Sequence, residues 1–196
     1  VSALVALDKV AELRAGETIA ISAAAGGLGH LFVQLAVLRG CRVIAVCGGA
    51  EKGAFVSALG AERVIDYRRE NVGEVLAAEY PNGIDVGMDS VSGAIFDGFL
   101  ANLARHGRLV VCGAASDMEG CPEIVTGPRI AHALYYKGAS VRGFQNGLMA
   151  EHWPAARATR FDLFAQGKLH VTFDEPRFHG LEGIYDAVER LISGRS

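Results

Sequence analysis

Apolar positions along the chain follow two rhythms. Short, nearly continuous runs of Val, Ile, Leu and Ala are separated by longer stretches in which apolar residues recur every three or four positions. The short runs are Thr18-Ile19-Ala20-Ile21, Arg42 to Cys47, Arg63 to Tyr67, Ile84 to Asp89, Arg108 to Cys112 and Ala139 to Phe144. Strands covered on both faces carry runs of this kind. The longer spacing predicts helices over Val1 to Arg14, His30 to Arg39, Glu51 to Leu59, Val72 to Ala78, Ile95 to Ala104, Ile130 to Tyr136, Trp153 to Phe164 and Leu181 to Ile192. Gly40 and Gly60 read as C-caps, Pro81-Asn82-Gly83 as a turn, and His106-Gly107 as the turn into the fifth strand. Strands alternating with helices imply an α/β fold, a Rossmann-type doubly wound parallel sheet of about six strands with right-handed crossovers.

Three parts follow from this layout: a lead-in helix over 1–15, a dinucleotide-binding domain over 16–167, and a C-terminal segment over 168–196. Gly113 to Pro128 is rich in Gly and Pro and long enough to suggest a functional loop.

The first strand runs into Ala24-Ala25-Gly26-Gly27-Leu28-Gly29, a G-x-G-x-x-G turn with alanine at its first position. A strand, a glycine turn and a helix present backbone N–H groups and a positive dipole end to a phosphate. Gly26 and Gly27, with Leu28, would let the backbone approach a pyrophosphate, and Gly29 would let the helix lie close to the first strand. Alanine fits at Ala24 if the turn requires no positive φ there. The plainer reading of the same residues is a glycine turn that serves packing alone.

A carboxylate at the end of the second strand usually bonds the adenosine ribose of NAD. Here the strand ends in Cys47-Gly48-Gly49, without an acid, and Lys52 follows. Glu51 comes too late, and an acid in a first helical turn is well placed against the dipole. A missing acid and a nearby cation favour a 2′-phosphate over Gly48 and Gly49, held by Lys52 and flanked by Tyr67; solvated surface roles are the alternative for both side chains. Arg68 and Arg69 read as surface charges that add positive potential. The hydride-transfer end falls at the carboxyl ends of strands four, five and six. That nominates Val91, then Cys112, Gly113 and Ala114, then Phe144 and Asn146.

Composition narrows the class. With 51% apolar and 21% charged residues the chain can bury one sizeable core, and nothing points to disorder. A formal net charge of −3 offers no general attraction to nucleic acid or to an anionic membrane. Apolar runs stay short of the roughly 18 residues of a spanning helix, and residues 1–9 lack a secretory layout, so an intracellular, cytoplasmic or other, location is expected. Cys41, Cys47, Cys112 and Cys121 form no C-x-x-C pair and read as reduced thiols. No metal site is expected, since His30, His106, His132, His152, His170 and His179 show no ligand spacing. A hydrolase G-x-S-x-G elbow and a Tyr-x-x-x-Lys pair are both missing from the sequence.

With these residues in hand, the chain resembles the cofactor-binding half of the zinc-independent medium-chain dehydrogenase/reductase superfamily along essentially its whole length. The resemblance rests on Ala15-Gly16-Glu17-Thr18, Ala23 to Gly29, Val33-Gln34-Leu35-Ala36, Glu51-Lys52, Leu59-Gly60-Ala61, Ile65-Asp66-Tyr67 and Asp89-Ser90-Val91-Ser92-Gly93. These are similar to the quinone oxidoreductase and prostaglandin reductase branches, and Glu79 to Val86 and Phe178 to Tyr185 carry a finer match to the latter. The resemblance implies NADPH-dependent reduction of a carbonyl-conjugated double bond or a quinone, with hydride delivered to the β-carbon. It also implies that Lys52 and Tyr67 hold the 2′-phosphate, that the C-terminal segment returns toward a catalytic domain lying outside this chain, and that the strand around Ala139 to Phe144 pairs with its twin in a homodimer. Gly49 stands where relatives often carry a serine, and Gln145-Asn146-Gly147-Leu148 lacks the tyrosine that some prostaglandin reductases place there. No general acid is assigned. A different class, a nucleotide-sensing or interaction module without catalysis, is compatible with the same fold.

Overall fold

The apolar runs become a single parallel sheet because each of them is covered on both faces. In a computed structural model, which describes residues 1–117, 129–174 and 176–194, the strands are β1 (Thr18–Ile21), β2 (Arg42–Cys47), β3 (Arg63–Asp66), β4 (Ile84–Asp89), β5 (Leu103–Val111) and β6 (Ser140–Gly143). They lie in the order β3-β2-β1-β4-β5-β6, with every neighbouring pair parallel. This is the order of the doubly wound dinucleotide-binding sheet, and its crevice opens where the winding reverses, between β1 and β4.

The helices are α1 (Ser2–Val5), α2 (Gly29–Leu38), α3 (Ala50–Ala58), α4 (Val72–Glu79), α5 (Gly93–Ala101), α6 (Ala131–Tyr135), α7 (Trp153–Ala165) and α8 (Gly183–Ile192). Alternate residues of β1 and β2 face opposite ways. Ile19, Ile21, Val43 and Ala45 pack in one core with α1 and α2; Ala20, Ile44 and Val46 pack in the other with α4 and α5. In β4 the alternation slips at a register irregularity between Ile84 and Val86, so that Ile84 faces the second core while Val86 and Met88 face the first. A carboxylate uses that slip, since Asp85 Oδ2 accepts the Thr18 N–H at 2.8 Å.

Two expected boundaries are corrected. The lead-in helix does not reach Arg14: α1 widens into a π-helical turn over Ala6–Val10, and Glu12 then takes φ 52°. Two arginines explain the early end, because Arg108 Nε donates to the Ala11 carbonyl at 2.6 Å and Arg142 Nη1 to the Val10 carbonyl at 2.6 Å, which draws the chain onto β5 and β6. The second correction concerns the helix expected to Ala104 and the strand expected from Arg108. Helix α5 stops at Ala101 and β5 begins at Leu103, pairing with Ile84. His106, at φ 61°, sits inside the strand as a kink and not before it as a turn. Only 115–117 of the long loop before Pro128 form a described turn, a 3-10 one, and 118–128, with Cys121, lie outside the described residues.

The C-terminal segment is fastened to this frame at identifiable points. Gln34 Nε2 donates to the His170 carbonyl at 2.9 Å, and its Oε1 accepts the His170 N–H at 2.8 Å. Leu169 is buried in the first core. By contrast α8 is amphipathic but leaves Ile184, Tyr185 and Leu191 exposed, as is Leu181 just before it. Among the described residues no helix is long and apolar enough to cross a membrane.

Candidate cofactor-binding site

The turn between β1 and α2 is built by close approach. A Cβ on Gly29 would stand 2.1 Å from the Ala23 carbonyl oxygen and 2.7 Å from Ala24 Cα, so α2 can lie this near β1 only with glycine there. Strain sits at Ala23, with φ 46°; Ala24 is not among the positive-φ residues, and alanine is therefore accommodated in place of the first glycine. The Gly26 N–H donates to the Ala23 carbonyl at 2.9 Å, and nothing lies within 4 Å of a Cβ built on Gly27. Leu28 is the N-cap of α2; the His30 N–H donates to the Gly26 carbonyl at 3.0 Å, and the Leu31 and Phe32 N–H groups donate to the Leu28 carbonyl. His30, one residue into that helix, is buried; its Nδ1 lies 2.8 Å from the Gly26 carbonyl, while its Nε2 makes no hydrogen bond.

At the end of β2, Tyr67 and Arg68 are brought over Gly48, while the Lys52 ammonium bonds Gly194. Gly49 caps α3 with φ 92°, a conformation suited to glycine. A Cβ on Gly48 would meet Tyr67 ring carbons at 3.0 Å and Arg68 Nε at 2.8 Å. Tyr67 and Arg68 therefore lie over the bare Gly48 backbone, with the guanidinium 5.9 Å from the ring centroid. Arg68 is exposed, as expected of a surface charge, yet it lies over Gly48. Its place could be anticipated only from the β2–β3 pairing, in which Cys47 lies opposite Asp66 and so sets residues 67 and 68 beside 48 and 49. Lys52 in the first turn of α3 donates from Nζ to the Gly194 carbonyl at 2.8 Å, which brings the end of the C-terminal segment to this corner. Burial, with a smaller push from Asp66, raises the Cys47 thiol above its ordinary range, and Lys52 partly offsets this.

The remaining candidates lie at the carboxyl ends of β4, β5 and β6, which point to the same edge of the sheet as the glycine turn. The Val91 N–H donates to Asp89 Oδ1 at 3.0 Å, and its carbonyl accepts the Ser116 N–H at 2.9 Å. Cys112 donates its N–H to the Asp89 carbonyl, and its thiol is pushed up to about 12 by burial and by the neighbouring Asp89 carboxylate. That thiol is a protonated, poor nucleophile at neutral pH. Gly113 has the Ser90 carbonyl 3.2 Å from where its Cβ would be, so the two loops touch, and Ala114 beside it is exposed. Phe144 packs on the first core while its N–H donates to the Val111 carbonyl at 2.8 Å. Asn146 accepts the Trp153 indole N–H at both its backbone oxygen, 3.2 Å, and its Oδ1, 3.1 Å. Among the described residues no group of three or more His, Cys, Asp or Glu side chains could hold a metal ion.

Known proteins share this arrangement. Residues 27–160 match the zinc-binding dehydrogenase family, and the chain belongs to it. Within that family it is related to the prostaglandin reductase-3 and quinone oxidoreductase branch of the medium-chain dehydrogenases/reductases. It is 37% identical over 204 residues to prostaglandin reductase-3 of Mus musculus, covering all of this chain and 54% of that protein. To a probable quinone oxidoreductase of Leishmania amazonensis it is 33% identical, covering 98% of this chain and 58% of that protein. The fold superposes on the crystal structure of CurA from Vibrio vulnificus in complex with NADPH with a TM-score of 0.86 and 30% identity, covering all of this chain and 59% of that one. The chain thus spans about half the length of the curated relatives it matches.

Proposed function

We propose that this chain is the NADP(H)-binding part of a zinc-independent oxidoreductase that reduces an α,β-unsaturated carbonyl compound or a quinone. The observation that carries the reading is the corner at Gly48 and Gly49: no acid at the end of β2, Tyr67 and Arg68 lying over a backbone with no side chain of its own, and Lys52 in the first turn of the helix that Gly49 caps. A ribose 2′-phosphate suits that corner, whereas the ribose hydroxyls of NAD would find no carboxylate there. The glycine turn suits the pyrophosphate. The relatives support the same reading, since both CurA and the quinone oxidoreductase of Escherichia coli have been solved with NADPH.

The bound dinucleotide would supply a hydride for the β-carbon of an enone or for a quinone. The chain's own part is to bind the adenosine end through Lys52, Tyr67 and Arg68 and to orient the dinucleotide across the β1–β4 crevice. Residues 16–167 form the dinucleotide-binding part in this reading, and 168–196 the segment that returns toward the catalytic domain. We further propose a homodimer through the edge strand β6, in an intracellular compartment; a monomeric mass by light scattering would remove the dimer.

The test of the cofactor assignment is a calorimetric titration with NADPH and with NADH. Lys52→Ala is expected to weaken NADPH by about 1.5–3 kcal/mol, the loss of a charge-assisted contact, and to leave NADH nearly unchanged. Equal affinities of the wild-type chain for the two nucleotides would overturn the assignment.

A further inference from the structure

We infer that Asp89, acting with Ser22, positions the loop that receives the nicotinamide half of the cofactor; the inference rests on the NADP(H) reading above. Asp89 ends β4 at the point where the winding of the sheet reverses, and it is fully buried. Its Oδ1 accepts the Ser22 hydroxyl at 2.7 Å and the Val91 N–H at 3.0 Å. Its Oδ2 accepts the Ser92 N–H at 2.9 Å. Ser22 Oγ in turn accepts the Ser90 N–H at 2.8 Å. Two side chains therefore fix three consecutive amides, those of residues 90, 91 and 92.

The hold extends to the next loop. The Asp89, Ser90 and Val91 carbonyls accept the N–H groups of Cys112, Ala115 and Ser116. Whatever Asp89 holds, the loop after β5 follows.

The loop so held is not one the chain adopts cheaply. Ser92 has φ 76° and the adjoining Gly93 φ 60°. A serine at positive φ is strained and persists where surrounding bonds over-determine it. Burying a carboxylate is costly too, unless strong donors meet its charge. The strained serine and the buried carboxylate are bonded to each other three residues apart, and together they fix the loop at the edge of the sheet that carries the glycine turn. A corner needed only for packing would require neither feature. Asp89 is on this reading a positioning residue: it holds the amides of residues 91 and 92, and through Ser22 that of residue 90, and the loop they fix would receive the cofactor.

Calorimetric titration of the full chain with NADPH and with 2′,5′-ADP, which carries the adenosine half alone, tests the assignment. Ser22→Ala is expected to weaken NADPH about tenfold while 2′,5′-ADP stays within about twofold, because the lost hydrogen bonds order only the nicotinamide end. Asp89→Asn, which turns an acceptor facing the Ser92 N–H into a donor, is expected to show the same selectivity with a larger loss. Equal weakening of both ligands, or no weakening of NADPH in Ser22→Ala, would overturn the proposal. Should Asp89→Asn fail to fold, Ser22→Ala decides alone. A wild-type chain that does not prefer NADPH to NADH would defeat the phosphate assignment instead, and NADH against 5′-AMP would then test the loop in the same way.

Discussion

The two ends of the nucleotide crevice are made of different materials. At the β2–β3 end the groups are charged, exposed and on long side chains: Tyr67 is 48% exposed, and Arg68 lies across it by a cation–π contact. At the β1–β4 end they are short, buried and bonded to backbone: Ser22 is 1% exposed and Asp89 fully buried. Long exposed cations attract a phosphate and tell it from a hydroxyl, but they hold no geometry; short buried acceptors hold geometry and attract nothing. On the reading proposed above, the first end selects the nucleotide and the second aims it.

The comparison is broken most completely at the turn both ends share. Gly29→Val would push a side chain into the Ala23 and Ala24 backbone, which cannot swing away. A loss of about 3 kcal/mol or more in urea denaturation, with loss of all nucleotide binding, is expected. Next comes the buried end. Asp89→Ala leaves the Ser22 hydroxyl and two amides without their acceptor, and unfolding free energy is expected to fall by about 2–3 kcal/mol. Smaller still is Arg68→Ala at the exposed end, where about 1 kcal/mol of NADPH affinity should be lost. That loss should shrink as salt is raised, whereas the Ser22→Ala loss should not, since only exposed charges are well screened. Equal salt sensitivity at the two ends would erase the distinction drawn here.

The smallest effect concerns Cys112, whose thiol is pushed up to about 12 by burial and Asp89. An unfolded cysteine ionises near 8.5. Between those two pH values the unfolded chain releases a proton that the folded chain retains, so this group's contribution to stability is whole below about pH 8.5 and declines as pH rises toward 12. Iodoacetamide labelling of Cys112 at pH 8 should accordingly be far slower in the folded chain than in urea, as read by peptide mass spectrometry.

Most of the fold was legible because a buried parallel sheet writes itself as continuous apolar runs. The predicted β2 and β4 coincide with the observed strands, and the sheet order follows from β–α alternation. Legibility failed where a residue's role depends on what lies opposite. His106 and Gly107 look like a turn, yet pairing with β4 draws 103–111 into one strand through the kink. Arg108 and Arg142 lie in predicted strands, and nothing in the sequence shows that they take the carbonyls of Ala11 and Val10 at the end of the lead-in helix. At the site, the glycine turn and the missing acid stand in consecutive residues and could be read directly. Arg68 could not, because its position over Gly48 is a product of the β2–β3 register. Asp89 and Ser22 are 67 residues apart, and their bond depends on β1 and β4 being neighbours.

The Gln34 side chain bonds His170 as a neighbouring strand would, through one donor and one acceptor. No strand is assigned in the described part of 166–182. The His170 amide should therefore exchange slowly for a residue outside any helix or strand. Because Gln34 lies on the helix that begins at the glycine turn, that single proton reports how firmly the C-terminal segment is docked behind the phosphate site, and its rate can be followed as nucleotide is added.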